Sequence, residues 1–166
     1  MVAIMCTGRL MKAVVGGGLP RGAARRPKAS GPERLGSWAA TVVDEGDIAV
    51  AINERTYLTL VVRLLPVASF RERFVDCLRA ALHDLGVHED AVDVECSALR
   101  EAPFVRLRNP ELSDALAFAE MEAGAHVEGG QDEVSVRDML NTYPYGGCGA
   151  SCPVEAVSKL FGVCRS

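Results

Sequence analysis

Residues 37–65 read SWAATVVDEGDIAVAINERTYLTLVVRLL and contain the three apolar runs on which we base the fold prediction. The runs are rich in β-branched residues, which favour strands. DEGD and NERT, the two short polar segments between them, are typical of hairpin turns. From residue 57 to residue 64 every second side chain is aliphatic, as in a half-buried antiparallel strand. The stretch therefore predicts an antiparallel β-meander with strands over residues 39–43, 48–52 and 57–65.

An amphipathic helix is predicted directly after the meander, in the sequence SFRERFVDCLRAALHDLG of residues 69–86. Its large apolar side chains recur every four residues and form one stripe: Phe70, Phe74, Leu78 and Leu82. Ser69 and Glu72 have the spacing of a capping box, and Gly86 is a typical helix end. We expect this helix to cover one face of the meander.

The remaining elements are predicted from shorter patterns. Residues 2–6 form an apolar run typical of a strand, and Thr7 is a suitable N-cap for a short helix that ends at glycines 16–18. Residues 16–34 are rich in glycine, proline and basic residues, and we expect a flexible loop there. After the amphipathic helix, residues 91–96 are interpreted as a strand with Val92 and Val94 on one face. Residues 99–107 fit either a strand or a loop.

The C-terminal half is predicted to be mostly helical. Asn109 and Pro110 form a strong helix start, and the apolar pattern continues towards Gly124. A second short helix is expected over residues 132–140, and a third after Pro153. Between them, residues 141–152 form a loop rich in glycine and cysteine. The fold class predicted for the single domain of residues 1–166 is thus α+β, an antiparallel meander covered by an amphipathic helix.

The composition limits the class of protein. The 166 residues are 49% hydrophobic and carry a formal net charge of −4, as in an ordinary globular domain. No acidic residue precedes Glu33, so the segment of residues 21–28 has unbalanced positive charge from Arg21, Arg25, Arg26 and Lys28. Such a segment can contact nucleic acid, although the absence of interleaved aromatic residues favours a solvated loop.

The six cysteines, together with the absence of a secretory signal, predict free thiols and a cytoplasmic location. No apolar run reaches the roughly 18 residues that a membrane span needs, so no membrane association is expected. Cys148, Cys152 and Cys164 could supply three thiolates to zinc if a fourth ligand came near. Because paired C-x2-C motifs and a nearby histidine are missing, we expect reduced cysteines, no metal and no cofactor.

No catalytic signature is present. The glycines at positions 16–18 do not fit a phosphate-binding loop, and no G-x-S-x-G or H-E-x-x-H sequence occurs. The turn with Asn53, Arg55 and Thr56 is ambiguous. Asparagine stabilises turns by bonding its own backbone, but binding residues also favour loops on a rigid scaffold.

Four motifs carry a resemblance to a known family: I-x-C-T-x-[RK]-L at residues 4–10, L-G-S-W at 35–38, N-E-[RK]-T at 53–56 and L-N-x-x-P at 140–144. The chain resembles an uncharacterised bacterial family, often plasmid- or mobile-element-borne, that is classed as a domain of unknown function. The resemblance transfers no catalytic residue. Together with the polar turn, its motifs define one candidate polar site: Thr7, Arg9, Trp38, Asn53, Arg55 and Thr56.

The leading functional hypothesis is a small cytoplasmic binding or interaction protein whose partner is another protein. Nucleic acid is the alternative partner, through residues 21–28. Two other functions stay open. One is a small enzyme or nuclease-like toxin with its polar site near residues 53–56, and the other is a thiolate zinc-binding protein.

Overall fold

The computed structural model describes residues 2–19, 32–43, 47–147 and 149–163. Within these residues the chain forms one five-stranded sheet and six α-helices. The strands are β1 (Ile4–Cys6), β2 (Trp38–Val42), β3 (Ile48–Asn53), β4 (Thr59–Arg63) and β5 (Phe104–Arg106). The helices are α1 (Gly8–Gly16), α2 (Phe70–Asp84), α3 (Glu89–Glu101), α4 (Pro110–Glu128), α5 (Glu133–Leu140) and α6 (Pro153–Phe161).

The predicted meander is confirmed, but it is only part of the sheet. Strands β2, β3 and β4 are antiparallel neighbours, with Trp38 opposite Asn53. The order is β4-β3-β2-β1-β5, and β1 is parallel to both β2 and β5. The prediction of a purely antiparallel sheet is therefore wrong. The physical reason is the connection through α1, because a helical crossover returns the chain in the same direction.

Helices cover both faces of the sheet, so the meander strands are buried on both sides rather than on one. Helices α1, α2 and α3 pack on the first face, where Trp38 meets Phe74 edge-on at a ring-centroid distance of 5.6 Å. Helices α4 and α5 pack on the second face, where Ile52 and Leu116 belong to one core. Every residue of β2 is buried. The two cores account for the high aliphatic content of the chain.

Residues 91–96, which were interpreted as a strand, belong to α3 instead. Val92, Cys96 and Leu99 are all buried, with the three- and four-residue spacing of one helix face. The His88 side chain caps the helix by accepting a hydrogen bond from the Asp90 N–H at 3.3 Å. The alternation that suggested a strand spans too few residues to outweigh this longer helical pattern.

Two predicted helix boundaries also need correction. Ser69 makes no capping hydrogen bond, because it is the last residue of a 3₁₀ turn over Val67–Ser69 and lacks the extended backbone of a typical N-cap. Helix α4 does not end near Gly124 but continues to Glu128. A Cβ at Gly124 would make only an ordinary contact of 3.5 Å with a methyl group of Val43, so this glycine is a normal interior position of α4. Residues 141–147 and 149–152 lie between α5 and α6.

Arg71 fixes the path from α3 into β5. Its guanidinium donates hydrogen bonds to carbonyl oxygens at the end of α3, among them Arg100 O at 3.1 Å and Ala102 O. The same group lies 4.4 Å from the ring centroid of Phe104, the first residue of β5. A cation placed at a helix C-terminus and over an aromatic ring is stabilising in both contacts. This arrangement holds β5 beside β1.

A buried carboxylate fixes the chain segment that leads into β2. Glu95 of α3 is 3% exposed, and its two carboxylate oxygens accept hydrogen bonds from the backbone N–H groups of Arg34 and Leu35. Burial raises the pKa of the Glu95 carboxyl group, and the two N–H donors offset only part of this effect. Glu95 is thus a structural group whose charge is costly inside the protein.

This pKa shift predicts a specific pH dependence of stability. Because the pKa of Glu95 is raised in the folded state, protonation of its carboxyl group stabilises the fold. This stabilisation is complete below the ordinary pKa of 4.5 and is lost as the pH rises above 4.5. Urea unfolding of the wild type and of Glu95→Gln, which stays neutral, isolates the effect. The unfolding free energy of the wild type minus that of the variant should fall from pH 4.5 towards neutral pH. A difference that grows with pH would contradict the assignment.

Candidate functional site

The Asn53 side chain organises the polar turn between β3 and β4. It is fully buried, and its Oδ1 accepts hydrogen bonds from the N–H groups of Arg55 and Thr56 and from the Thr56 hydroxyl, at 3.0–3.1 Å. Its Nδ2 donates to the carbonyl oxygens of Leu35 and Ser37, at 3.0 and 3.2 Å. Both donors and the acceptor of this amide are therefore used inside the protein.

The next two residues of the turn contact the same backbone segment. Glu54 Oε1 accepts a hydrogen bond from the Ser37 N–H at 2.7 Å, and Arg55 Nη1 donates to the Arg34 carbonyl at 2.6 Å. Gly36 has a φ of 77°, and a Cβ there would lie 2.6 Å from Glu54 Oε1. The L-G-S-W and N-E-R-T sequences thus form one hydrogen-bonded unit, in which the positive φ of Gly36 favours glycine.

The turn stores some backbone strain. Tyr57 is the one non-glycine residue with a positive φ, 58°, among the residues that the structure describes. This conformation costs roughly 1–2 kcal/mol for a residue with a Cβ. The Tyr57 ring packs against Tyr145 at a centroid distance of 5.6 Å, which helps to offset the cost. The strain is explained by packing of the turn and does not itself indicate a ligand.

Thr7 and Arg9 belong to a different cluster. The Thr7 and Thr41 hydroxyl groups are 3.1 Å apart, and Thr41 donates to Glu120 Oε2 at 3.3 Å. Arg9 Nη1 pairs with the other oxygen of Glu120 at 3.1 Å. These contacts join the start of α1, the end of β2 and α4. Because its hydroxyl is used there, Thr7 makes no side-chain cap on α1.

The structure therefore does not bring the six candidate site residues into one pocket. Trp38 and Asn53 lie side by side at the beginning of β2, whereas Thr7 lies beside Thr41 near the end of that strand. Three residues of extended chain separate the two groups by about 10 Å. The buried Trp38 side chain is a core residue at the first group.

An open crevice lies at the carboxyl ends of β1 and β5. The chain leaves β1 into α1, on the first face of the sheet, and leaves β5 into α4, on the second face. Because neighbouring parallel strands continue to opposite faces, a space opens between their ends. This crevice has a volume of about 390 Å³ and is lined by residues 6–8, residues 106–110 and Ser113. Ligand pockets typically begin at about 300 Å³.

The side chains that line the crevice differ in whether their polar groups are already hydrogen-bonded within the protein. Asn109 Oδ1 accepts hydrogen bonds from two N–H groups of α4, and Thr7 bonds Thr41. Burial raises the pKa of the Cys6 thiol to about 12, so it stays protonated at neutral pH. Arg106 and Arg108, in contrast, are exposed and make no ion pair or side-chain hydrogen bond with any described residue.

Sequence reasoning missed Arg106, Arg108, Gly8 and Ser113 as crevice residues. The only local signal was the pair of arginines with the spacing of one strand face, in a stretch that fitted either a strand or a loop. Which strands meet, and on which face each continues, cannot be read from local patterns. The sequence therefore contained no sufficient signal for this site.

A second cavity, of about 480 Å³, lies over α3 and includes Val2, Pro32 and Asp93. Asp93 is paired with Arg79 at 2.8 Å.

The zinc hypothesis depends on three cysteines of the C-terminal segment. Of its three cysteines, Cys152 is described, and Cys148 and Cys164 lie outside the described residues. The basic residues 21–28 also lie outside them. The described part of the chain contains no group of three or more potential metal-ligating side chains. Glu122 and His126 do share one face of α4, with 3.7 Å between Oε2 and Nε2, as an ordinary surface pair.

Comparison with known protein families gives a match over most of the chain. The profile of a family described as a domain of unknown function (DUF6933) matches residues 3–156. The chain belongs to this family. No curated protein and no solved structure matches the chain. Among the described residues, no helix combines the length and the apolar character that crossing a membrane would require. Because the family is described as a domain of unknown function, membership assigns no activity to this chain.

The hydrogen bonds of Asn53 lead to a stability prediction. Asn53→Ala leaves several buried polar groups without partners, at roughly 1–3 kcal/mol each, and we expect the unfolding free energy to fall by about 3 kcal/mol or more. Arg55→Ala is the matched control, because this exposed side chain contributes one hydrogen bond and its loss should cost about 1 kcal/mol. Urea denaturation measures both variants. Equal stability of Asn53→Ala and the wild type would rule out the structural role.

Proposed function

We propose that this protein is a small binding protein that holds its ligand in the crevice at the carboxyl ends of β1 and β5. The observation that carries the proposal is the divergence of α1 and α4 from these two parallel strands. In open α/β sheets, ligands bind at this kind of position, where connections switch from one face to the other. The two strands and two helices form a rigid frame around a concave surface, as binding sites require.

The chemistry of the crevice favours binding over catalysis. Neither a carboxylate nor a histidine is among its described lining residues, so general acid–base catalysis has no evident group. The Cys6 thiol, with its pKa raised to about 12 by burial, is a poor nucleophile. The available groups are backbone N–H groups, two arginines and a serine hydroxyl, which recognise a ligand without reacting with it.

The other hypotheses have less support. The enzyme or toxin hypothesis needs free polar groups near residues 53–56, where the Asn53 amide is already fully hydrogen-bonded. Zinc binding by Cys148, Cys152 and Cys164, and nucleic-acid binding by residues 21–28, stay predictions. The same holds for a protein partner, a cytoplasmic location and a bacterial, plasmid-linked origin. The six cysteines support the cytoplasmic location, and the family resemblance supports the bacterial, plasmid-linked origin.

An NMR fragment screen tests the proposed function. Neutral, cationic and anionic fragments are added to ¹⁵N-labelled protein, and we expect the perturbed amides to be those of residues 6–8 and 106–109. Ser113→Trp places a large ring in the crevice and should remove these perturbations. Ala117→Trp, at an exposed position one turn further along α4, is the matched control and should retain them.

Two results would overturn the proposal. One is a wild-type protein whose crevice amides respond to no fragment in the library. The other is a response that persists unchanged in Ser113→Trp, since that would place the ligand elsewhere on the protein.

A further inference from the structure

We infer that the ligand of the crevice is recognised through an oxyanion, a phosphate or carboxylate group bound by Arg106 and Arg108. This inference rests on the proposed function and adds the chemical class of the ligand to it. It is carried by two cationic side chains that line one cavity and that no described residue neutralises.

The two arginines are placed to act together. Phe104 of β5 packs in the core under α1, α2 and α3, and Leu107 packs in the core under α4 and α5. The Leu107 N–H donates to the Cys6 carbonyl of β1 at 2.9 Å, as in a chain that stays extended past the end of β5. Arg106 and Arg108 alternate with Leu107 and therefore lie on the side of α1. Their Cα atoms are about 7 Å apart in such a chain, a separation that lets two guanidinium groups contact one oxyanion.

None of the described residues that line the crevice is negatively charged. Its described lining includes two arginines and no acidic residue. Glu111 and Asp114, the acids that follow in the sequence, are exposed and do not line it. Glu120, the acid of the neighbouring cluster, is bonded to Arg9 and Thr41. A protein with a net charge of −4 thus keeps a locally positive cavity, which favours an anionic ligand.

The start of α1 adds backbone donors to the same cavity. Gly8 is its first residue, it lines the crevice, and a Cβ there would meet no atom within 4 Å. No acidic residue occupies the first turn of α1, and Thr7 does not cap it. An oxyanion held by the arginines can therefore approach the Gly8 N–H closely, where the helix dipole also favours negative charge.

Arginine determines the class of anion. Its planar guanidinium donates two parallel hydrogen bonds, a geometry that matches the oxygens of carboxylates and phosphates. Chloride offers no such pair of acceptors. We therefore expect saturable binding of oxyanions and only weak, unsaturated effects of chloride.

The experiment is a ¹⁵N NMR titration with inorganic phosphate, acetate and chloride at matched ionic strength. Saturable shifts of the amides of residues 6–8 and 106–109 are expected with phosphate, with acetate, or with both, and the stronger binder identifies the group. Arg106→Gln and Arg108→Gln should each weaken binding about tenfold, as expected for the loss of a charge-assisted hydrogen bond. Gly8→Ala should weaken it as well, although this substitution fits the protein itself.

Lys12→Gln is the matched control. Lys12 is an exposed cation of α1 that does not line the crevice, so its removal changes the net charge equally and should leave binding unchanged. Thermal unfolding of each variant confirms that it is folded. If neutral fragments occupy the crevice but neither phosphate nor acetate does, the inference is wrong and the proposed function stands. If the crevice amides respond to no compound, both are wrong.

Discussion

The buried amide of Asn53 is the interaction on which the arrangement of this protein depends. Its acceptor closes the turn between β3 and β4, and its donors hold the backbone at Leu35 and Ser37. This places the start of β2 opposite the end of β3. Because β1 pairs with β2, and β5 pairs with β1, the positions of β1 and β5 in the sheet depend on that alignment. A buried amide left without partners would be costly, so the alignment is strongly specified.

The same principle recurs at the start of the edge strand β4. Asn141, also buried, accepts a hydrogen bond from the Thr59 N–H at 2.7 Å and donates to the Thr59 carbonyl at 2.8 Å. It therefore pairs with β4 as a neighbouring strand would, and joins α5 to the sheet. Together with Glu95 and Arg71, these residues use buried polar groups as links between elements. The conspicuous polar residues of the sequence thus build the scaffold, whereas the exposed Arg106 and Arg108 make no ion pair or side-chain hydrogen bond with any described residue.

Local patterns were sufficient for part of this structure. The alternation in residues 57–64 predicted a strand, and the stripe from Phe70 to Leu82 predicted a helix. Each pattern is long enough to distinguish the two-residue period of a strand from the 3.6-residue period of a helix. The pair Val92 and Val94 is too short a pattern to distinguish these periods, and the strand predicted there is part of α3. Asn53 was recognised as a turn residue, but its partners Leu35 and Ser37 lie 16–18 residues away. The parallel pairing of β1 with β5, and with it the crevice, depends on contacts across about 100 residues of chain and has no local signal.

The division between a scaffold and a binding crevice is tested most directly by a crystal structure of the protein soaked in selenate, an oxyanion with a strong anomalous signal. The account predicts an anomalous peak between Arg106, Arg108 and the Gly8 N–H. A crevice without such a peak, with selenate bound instead by Arg55 at the turn of residues 53–56, would contradict it.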